Sequence, residues 1–271
     1  MAASIQNWLW VIVVLFVTII PTITGWVKAW RFNYLISQIE KKRGTKVITM
    51  IHRQPSGFLA ALSQRYIQLE DSEAIMQVIR QAGDKPIDLV MHTPGGLVIA
   101  AEQIARVLQA HKAVVTAIVP QYALSGGTLL CLAADQILMD QHAMLGPIDP
   151  QINNFPASAY LRVLREKEHG AVQDDTIMYA HMAERANVQL QQMAFNLLRK
   201  RMDDEKAMQV ATMLTEGRWT HDYPLHVEAL QELGLPVSTA MPQEFWSLFE
   251  LSNPTQTKAM RKVDEKKGAR A

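Results

Sequence analysis

A chain of 271 residues, 49% of them hydrophobic, is long enough to bury one sizeable core and carry appendages. Its 27 basic and 26 acidic residues nearly cancel, which excludes the strong basic excess of a dedicated nucleic-acid binder. The single cysteine, Cys131, excludes an internal disulfide. It sits in the apolar run from Thr128 to Ala134 and reads as a buried thiol rather than a nucleophile.

No ionisable side chain occurs from Met1 to Val27, and the run from Trp8 to Val27 has the length that the ~30 Å hydrocarbon core of a bilayer requires. Trp8 and Trp10 at one end, with Trp26 and Trp30 at the other, stand where an aromatic belt would be, and Pro21 is placed to kink such a helix. Without a basic n-region the run does not read as a cleaved signal peptide. Lys28, Arg31, Lys41, Lys42, Arg43 and Lys46 follow it against Glu40 alone. The positive-inside rule therefore predicts one transmembrane helix in the cell membrane, N-terminus outside and the rest cytoplasmic, with membrane lipid as a partner.

Past the anchor, Phe32, Leu35, Ile36 and Ile39 predict a short amphipathic helix over 30–39, and 45–51 alternates into a strand. A helix over 71–81, capped by Asp71 or Ser72, precedes a buried strand over 87–91, a Thr-Pro-Gly-Gly turn and a helix over 97–110. A second apolar strand over 113–119, a helix starting near Ser125 and a third strand over 136–139 repeat the rhythm. Residues 157–214 look helical throughout. This order of elements is that of an α/β domain with a parallel sheet covered on both faces, whose ligands bind beyond the carboxyl ends of the strands. The expected divisions are 1–44 for the anchor and juxtamembrane helix, 45–251 for the α/β domain, and 252–271 for a lysine-rich disordered tail. The eight histidines lack zinc-helix spacing, so no metal is expected.

Chemistry concentrates in two glycine turns at strand ends, His92-Thr-Pro-Gly-Gly96 and Ala123-Leu-Ser-Gly-Gly-Thr128. Acyl transfer needs an exposed nucleophile and backbone N–H groups aimed at a developing oxyanion. A serine at a strand-to-helix turn supplies the first, and Gly96 and Gly126 could offer one N–H each. On residue types alone the same turns also fit a plain N-cap and a plain turn.

From Ile87 to Pro150 these two turns, with Ala-Ala-Asp135 and Leu-Gly-Pro-Ile-Asp-Pro150, resemble the Clp/crotonase superfamily. Within it, the chain is most similar to signal peptide peptidase A and to the membrane-anchored serine dehydrogenase proteinases. The stretches Glu216-Gly-Arg-Trp-Thr-His-Asp-Tyr-Pro224 and Ala229–Leu235 look like that second group. The resemblance spans about 45–249. It implies a Clp/crotonase-like fold with ββα-type repeats and a cofactor-free, ATP-independent serine endopeptidase with Ser125 as nucleophile. It further implies an oxyanion hole from Gly96 and Gly126, with Leu97 opening the substrate-binding strand.

Relatives of the signal peptide peptidase type pair their serine with a lysine, which points to Lys167 in Leu164-Arg-Glu-Lys-Glu-His169. Flanked by charges, that lysine also reads as part of a solvated helix face. His92 is a candidate to line the cleft, or to make a strand-end hydrogen bond instead. His142 reads as a turn residue and His221 as part of a motif that shapes the fold. The implied partners are polypeptides, membrane proteins and signal-peptide remnants among them, and further copies of the chain, because 178–213 carries a surplus of methionines. Two alternatives stay open: a crotonase-like acyl-CoA enzyme, and a catalytically silent membrane scaffold.

Overall fold

A computed structural model describes residues 2–53 and 65–252, without the side chains of 2–13, 21 and 169. The chain forms two compact units, one from the residues up to Gly44 with those from Gln243 onward, the other spanning Thr45–Pro242.

In the first unit, helix α1 (Ala2–Arg43) runs unbroken through the expected amphipathic segment. Ile39 on α1 is buried, as are Phe245, Leu248 and Phe249 on a second helix over Gln243–Leu251. Lys42 forms an ion pair with Glu244, and the Arg43 guanidinium lies 5.3 Å from the centre of the Phe245 ring. The hydroxyls of Thr18 and Thr22 donate back to the carbonyls four residues earlier, each at 2.7 Å, so both are satisfied within the helix.

Among the described residues, no helix is long and apolar enough to cross a membrane. That overturns the single-pass placement with a cytoplasmic domain. Lys28 and Arg31 interrupt the apolar face of α1, and its last turn is basic, with Lys41, Lys42 and Arg43. The side chains of Trp8, Trp10 and Pro21 and the tail beyond Ser252 lie outside what is described.

The second unit is α/β. It runs β1 (Lys46–Ile51), α2 (Leu69–Ala82), β2 (Ile87–His92), α3 (Val98–Ala110), β3 (Val115–Val119), β4 (Tyr122–Ala123), α4 (Gly126–Ala133) and β5 (Gln136–Met139). Then come β6 (Met144–Leu145), the hairpin β7 (Gln151–Ile152) and β8 (Phe155–Pro156), helices α5 (Ala157–Glu166), α6 (Asp174–Leu198), α7 (Asp204–Thr215) and α8 (Val227–Glu232), and β9 (Val237–Ser238). The main sheet has the order β1-β2-β3-β5-β9 and is parallel throughout, as the sequence rhythm predicts. β4 pairs with β6 in a separate two-stranded parallel sheet.

Every residue of β2 and β3 is buried, which is why both read as apolar runs rather than alternating ones. Asp88 is the exception in composition. It is satisfied by the Thr45 hydroxyl, which donates to its carboxylate at 2.6 Å. The helix α2 starts earlier than the sequence suggests. Gln68 is its N-cap, and Asp71, at the third helical position, accepts from the Gln68 N–H at 2.8 Å.

All eight residues of α4 are buried, so the helix is held as a rigid post beneath the turn that precedes it. Cys131 lies inside this post, fully buried, and burial pushes its thiol far above the ordinary range. The native protein is expected to resist a thiol reagent such as iodoacetamide and to react only when unfolded. Rapid stoichiometric labelling under native conditions would contradict that burial.

Candidate active site

Two chain segments are zipped together at the carboxyl ends of the strands. The Thr93 N–H donates to the Tyr122 carbonyl at 3.2 Å, and the Leu124 N–H donates to the Thr93 carbonyl at 2.9 Å. This parallel bridge fixes the register of one turn against the other. Its consequence is close contact. A Cβ on Gly95 would lie 2.8 Å from the Cβ of Ser125 and 3.2 Å from the Gly126 nitrogen, so no side chain fits there. A Cβ on Gly96 would lie 2.3 Å from both the nitrogen and the oxygen of Ile67. The Pro-Gly-Gly spacing is thus a steric requirement on both sides of the turn.

Ser125 sits at φ 50, ψ −114, a left-handed conformation that a non-glycine residue rarely holds. Such a residue costs on the order of 1–3 kcal/mol and persists only where its surroundings over-determine it. Here the zipped turn and the buried α4 do so. Ser125 occupies the N-cap position of α4, yet its side chain does not cap the helix. That removes the plain N-cap reading, and the partly exposed hydroxyl is left for other partners. Gly126 is the first residue of α4, so its N–H has no intrahelical acceptor and lies at the positive end of the helix dipole.

The other amide follows from strand geometry. The Ile67 N–H donates to the Gly95 carbonyl at 2.7 Å, and the Leu97 N–H donates to the Ile67 carbonyl at 2.8 Å. Groups on either side of Gly96 therefore face Ile67, and by alternation the N–H of Gly96 itself faces the opposite way. Gly126 is close by: a Cβ built on it would be 3.6 Å from the Gly96 nitrogen. Leu97 follows at 51% exposure, beside a shallow depression of about 410 Å³ lined by Tyr66, Gln68, Leu69 and Gly96. A larger groove of about 900 Å³ lies between α3 and α6 and reaches Val98, Pro150 and Gln151.

The remaining candidates fall in different places. His92 is buried, with its ring centre 4.0 Å from that of Tyr122. Burial, then the neighbouring Arg53 and His52, lower its pKa to about 4, so it is neutral at physiological pH. Lys167 is exposed just past the end of α5, where its backbone N–H closes the helix onto the Val163 carbonyl at 3.0 Å. No hydrogen bond joins its side chain to Ser125 among the described residues. His142 occupies a turn, with its N–H donating to Asp140 at 2.8 Å, and His221 pairs at 2.8 Å with the buried Asp149. No cluster that could hold a metal occurs among the described residues.

Sequence reasoning missed one buried imidazole. His52 follows β1 as His92 ends β2, with its Nδ1 2.9 Å from the Thr93 hydroxyl. A histidine closing an apolar strand, next in register to the first turn, was the only signal it left.

The comparisons with known proteins give this geometry its family. The model of the ClpP-like SDH-type serine proteinases matches residues 1–265. The chain belongs to that family. Two uncharacterized proteins of Methanocaldococcus jannaschii are close relatives. MJ0137 is 49% identical over 219 residues, covering 80% of this chain and 77% of its own length. MJ1495 is 47% identical over 218 residues, covering 80% and 74%. Among solved structures, an asparagine-to-aspartate mutant of ClpP1 from Listeria monocytogenes aligns with a TM-score of 0.46 at 13% identity. That alignment covers 76% of this chain and 99% of the other.

For this proteinase-family chain, the buried neutral His92 links stability to pH. Its folded pKa lies below the unfolded value, so its contribution is complete above about 6.5 and fades as pH falls toward 4. Between those limits the wild type is expected to lose about 1–3 kcal/mol more stability than His92→Phe, measured by urea unfolding at each pH. Identical pH dependence in the two proteins would contradict the neutral burial.

Proposed function

We propose that the chain is a serine endopeptidase that cleaves polypeptides at the Ser125 elbow. Ser125 attacks the peptide carbonyl, the N–H groups of Gly96 and Gly126 hold the oxyanion, and Lys167 takes and returns the proton. The observation that carries this reading is the strained Ser125 backbone, which presents an uncapped hydroxyl against the Gly95–Gly96 turn. Family membership supports the reaction class.

An extended substrate would run past Leu97, and His92, beneath Tyr122, would shape the floor of the cleft. Lys167 is the demanding member. A lysine acts as a general base only when desolvated, and here it lies exposed in the single chain. The mechanism therefore requires docked polypeptide or a second copy of the chain to cover it. Self-association is part of the same reading: Met178 and Met182 on α6 are 62% and 56% exposed, and Val188 is 60% exposed.

The same exposure favours a second reading, in which the site binds polypeptide without cleaving it. Hydrolysis of a denatured, unstructured polypeptide separates the two. Wild-type cleavage should fall by ~10³-fold or more in Ser125→Ala with the fold intact, and by ~10²–10⁴-fold in Lys167→Ala. Cleavage retained by Ser125→Ala contradicts the peptidase reading, and a wild type that binds but never cleaves establishes the silent one. Full activity in Lys167→Ala, with none in Ser125→Ala, moves the base elsewhere.

A further inference from the structure

Thr93 begins the turn that carries Gly96, and its side chain is fully buried. Its hydroxyl oxygen accepts from the Gly95 N–H at 3.2 Å and lies 2.9 Å from Nδ1 of His52. On the far side of that imidazole, Nε2 lies 3.4 Å from the carboxylate of Asp71. Asp71 in turn accepts from the Gln68 N–H at 2.8 Å, next to Ile67, whose own N–H and carbonyl bracket Gly96. One imidazole, itself buried, thus connects the two segments between which Gly96 is held: the turn after β2 and the start of α2.

A carboxylate only accepts, so the Asp71 contact favours a proton on Nε2 of His52; Nδ1 then accepts from the Thr93 hydroxyl at 2.9 Å, in preference to the Gly95 carbonyl, which lies 3.4 Å from the same hydroxyl. The Thr93 oxygen is then free to accept from Gly95, and each bond polarises the next. Carboxylate, imidazole and hydroxyl in a row have the composition of a catalytic triad. With Thr93 inaccessible, however, this row ends on a backbone amide and not on a substrate.

We propose that His52 is a positioning residue: the Asp71–His52–Thr93 chain sets the Pro94–Gly96 turn so that the Gly96 N–H faces the Ser125 elbow. The inference rests on the peptidase reading and adds the device that holds one of its two oxyanion donors. A donor displaced by a fraction of an ångström stabilises the transition state less while substrate still binds, so the loss falls on kcat rather than KM.

The test combines kinetics with one activity-independent measurement on the wild-type protein. His52→Leu and Thr93→Val should each lower kcat for polypeptide cleavage by ~10–100-fold with KM within ~3-fold. Thr93→Ser, which restores the hydroxyl, should recover kcat to within ~3-fold, and the double variant should be no slower than the slower single one. Nitrogen-15 NMR of the wild type should show the Nε2-protonated tautomer of His52. Wild-type kcat in His52→Leu and Thr93→Val, or losses in the two that multiply, would overturn the proposal. So would a Thr93→Ser as slow as Thr93→Val, or an Nδ1-protonated His52. Cleavage retained by Ser125→Ala would instead defeat the peptidase reading, and the tautomer measurement would still decide whether the hydrogen-bond chain exists.

Discussion

Two backbone hydrogen bonds made by Thr93, one to each side of the Tyr122–Leu124 segment, are the constraint from which the site follows. They fix the register of the first glycine turn against the second. With that register set, Gly95 must lack a side chain to clear Ser125, and Gly127 must lack one to clear the Thr93 methyl, 2.7 Å from where its Cβ would be. The left-handed Ser125 is held by the same contact and by α4, whose eight residues are all buried. Strain in one residue is offset by a helix that has nowhere else to pack.

What the sequence revealed was set by burial. The strands β2 and β3 announce themselves because two covered faces leave an apolar run, and the two glycine turns stand out because side chains there would clash. The two-residue strands β4, β6 and β9 carry no periodicity to detect, although β4 leads directly into the elbow. The long helical stretch after 157 reads as one segment, yet it divides into α5, a 3₁₀ turn at His169–Ala171, α6 and α7. At the start of α2, Asp71 looked like the cap because its residue type favours that position. It serves instead from the third helical residue, with Gln68 as the cap.

The parts of the site that were not legible are those made by distant residues. His52 and Thr93 are 41 positions apart, and nothing local to either announces the bond between them. His92 offered two readings, and the structure buries it against Tyr122. Ser125, Gly96 and Gly126 are brought together by the fold, whereas Lys167 was reached through resemblance and stands exposed at the end of α5. At the N-terminus, an apolar run in the sequence was taken for a span. Among the described residues, no helix is both long and apolar enough to cross a membrane.

The oxyanion site is a matter of geometry, which the structure of a covalent adduct would reveal. A peptide boronate bound covalently to Ser125 places an oxygen where the oxyanion of the tetrahedral intermediate would form. That oxygen should lie about 2.7–3.1 Å from the nitrogens of both Gly96 and Gly126. An adduct whose oxygen turns to solvent, or a boronate that fails to bond to Ser125, would contradict it.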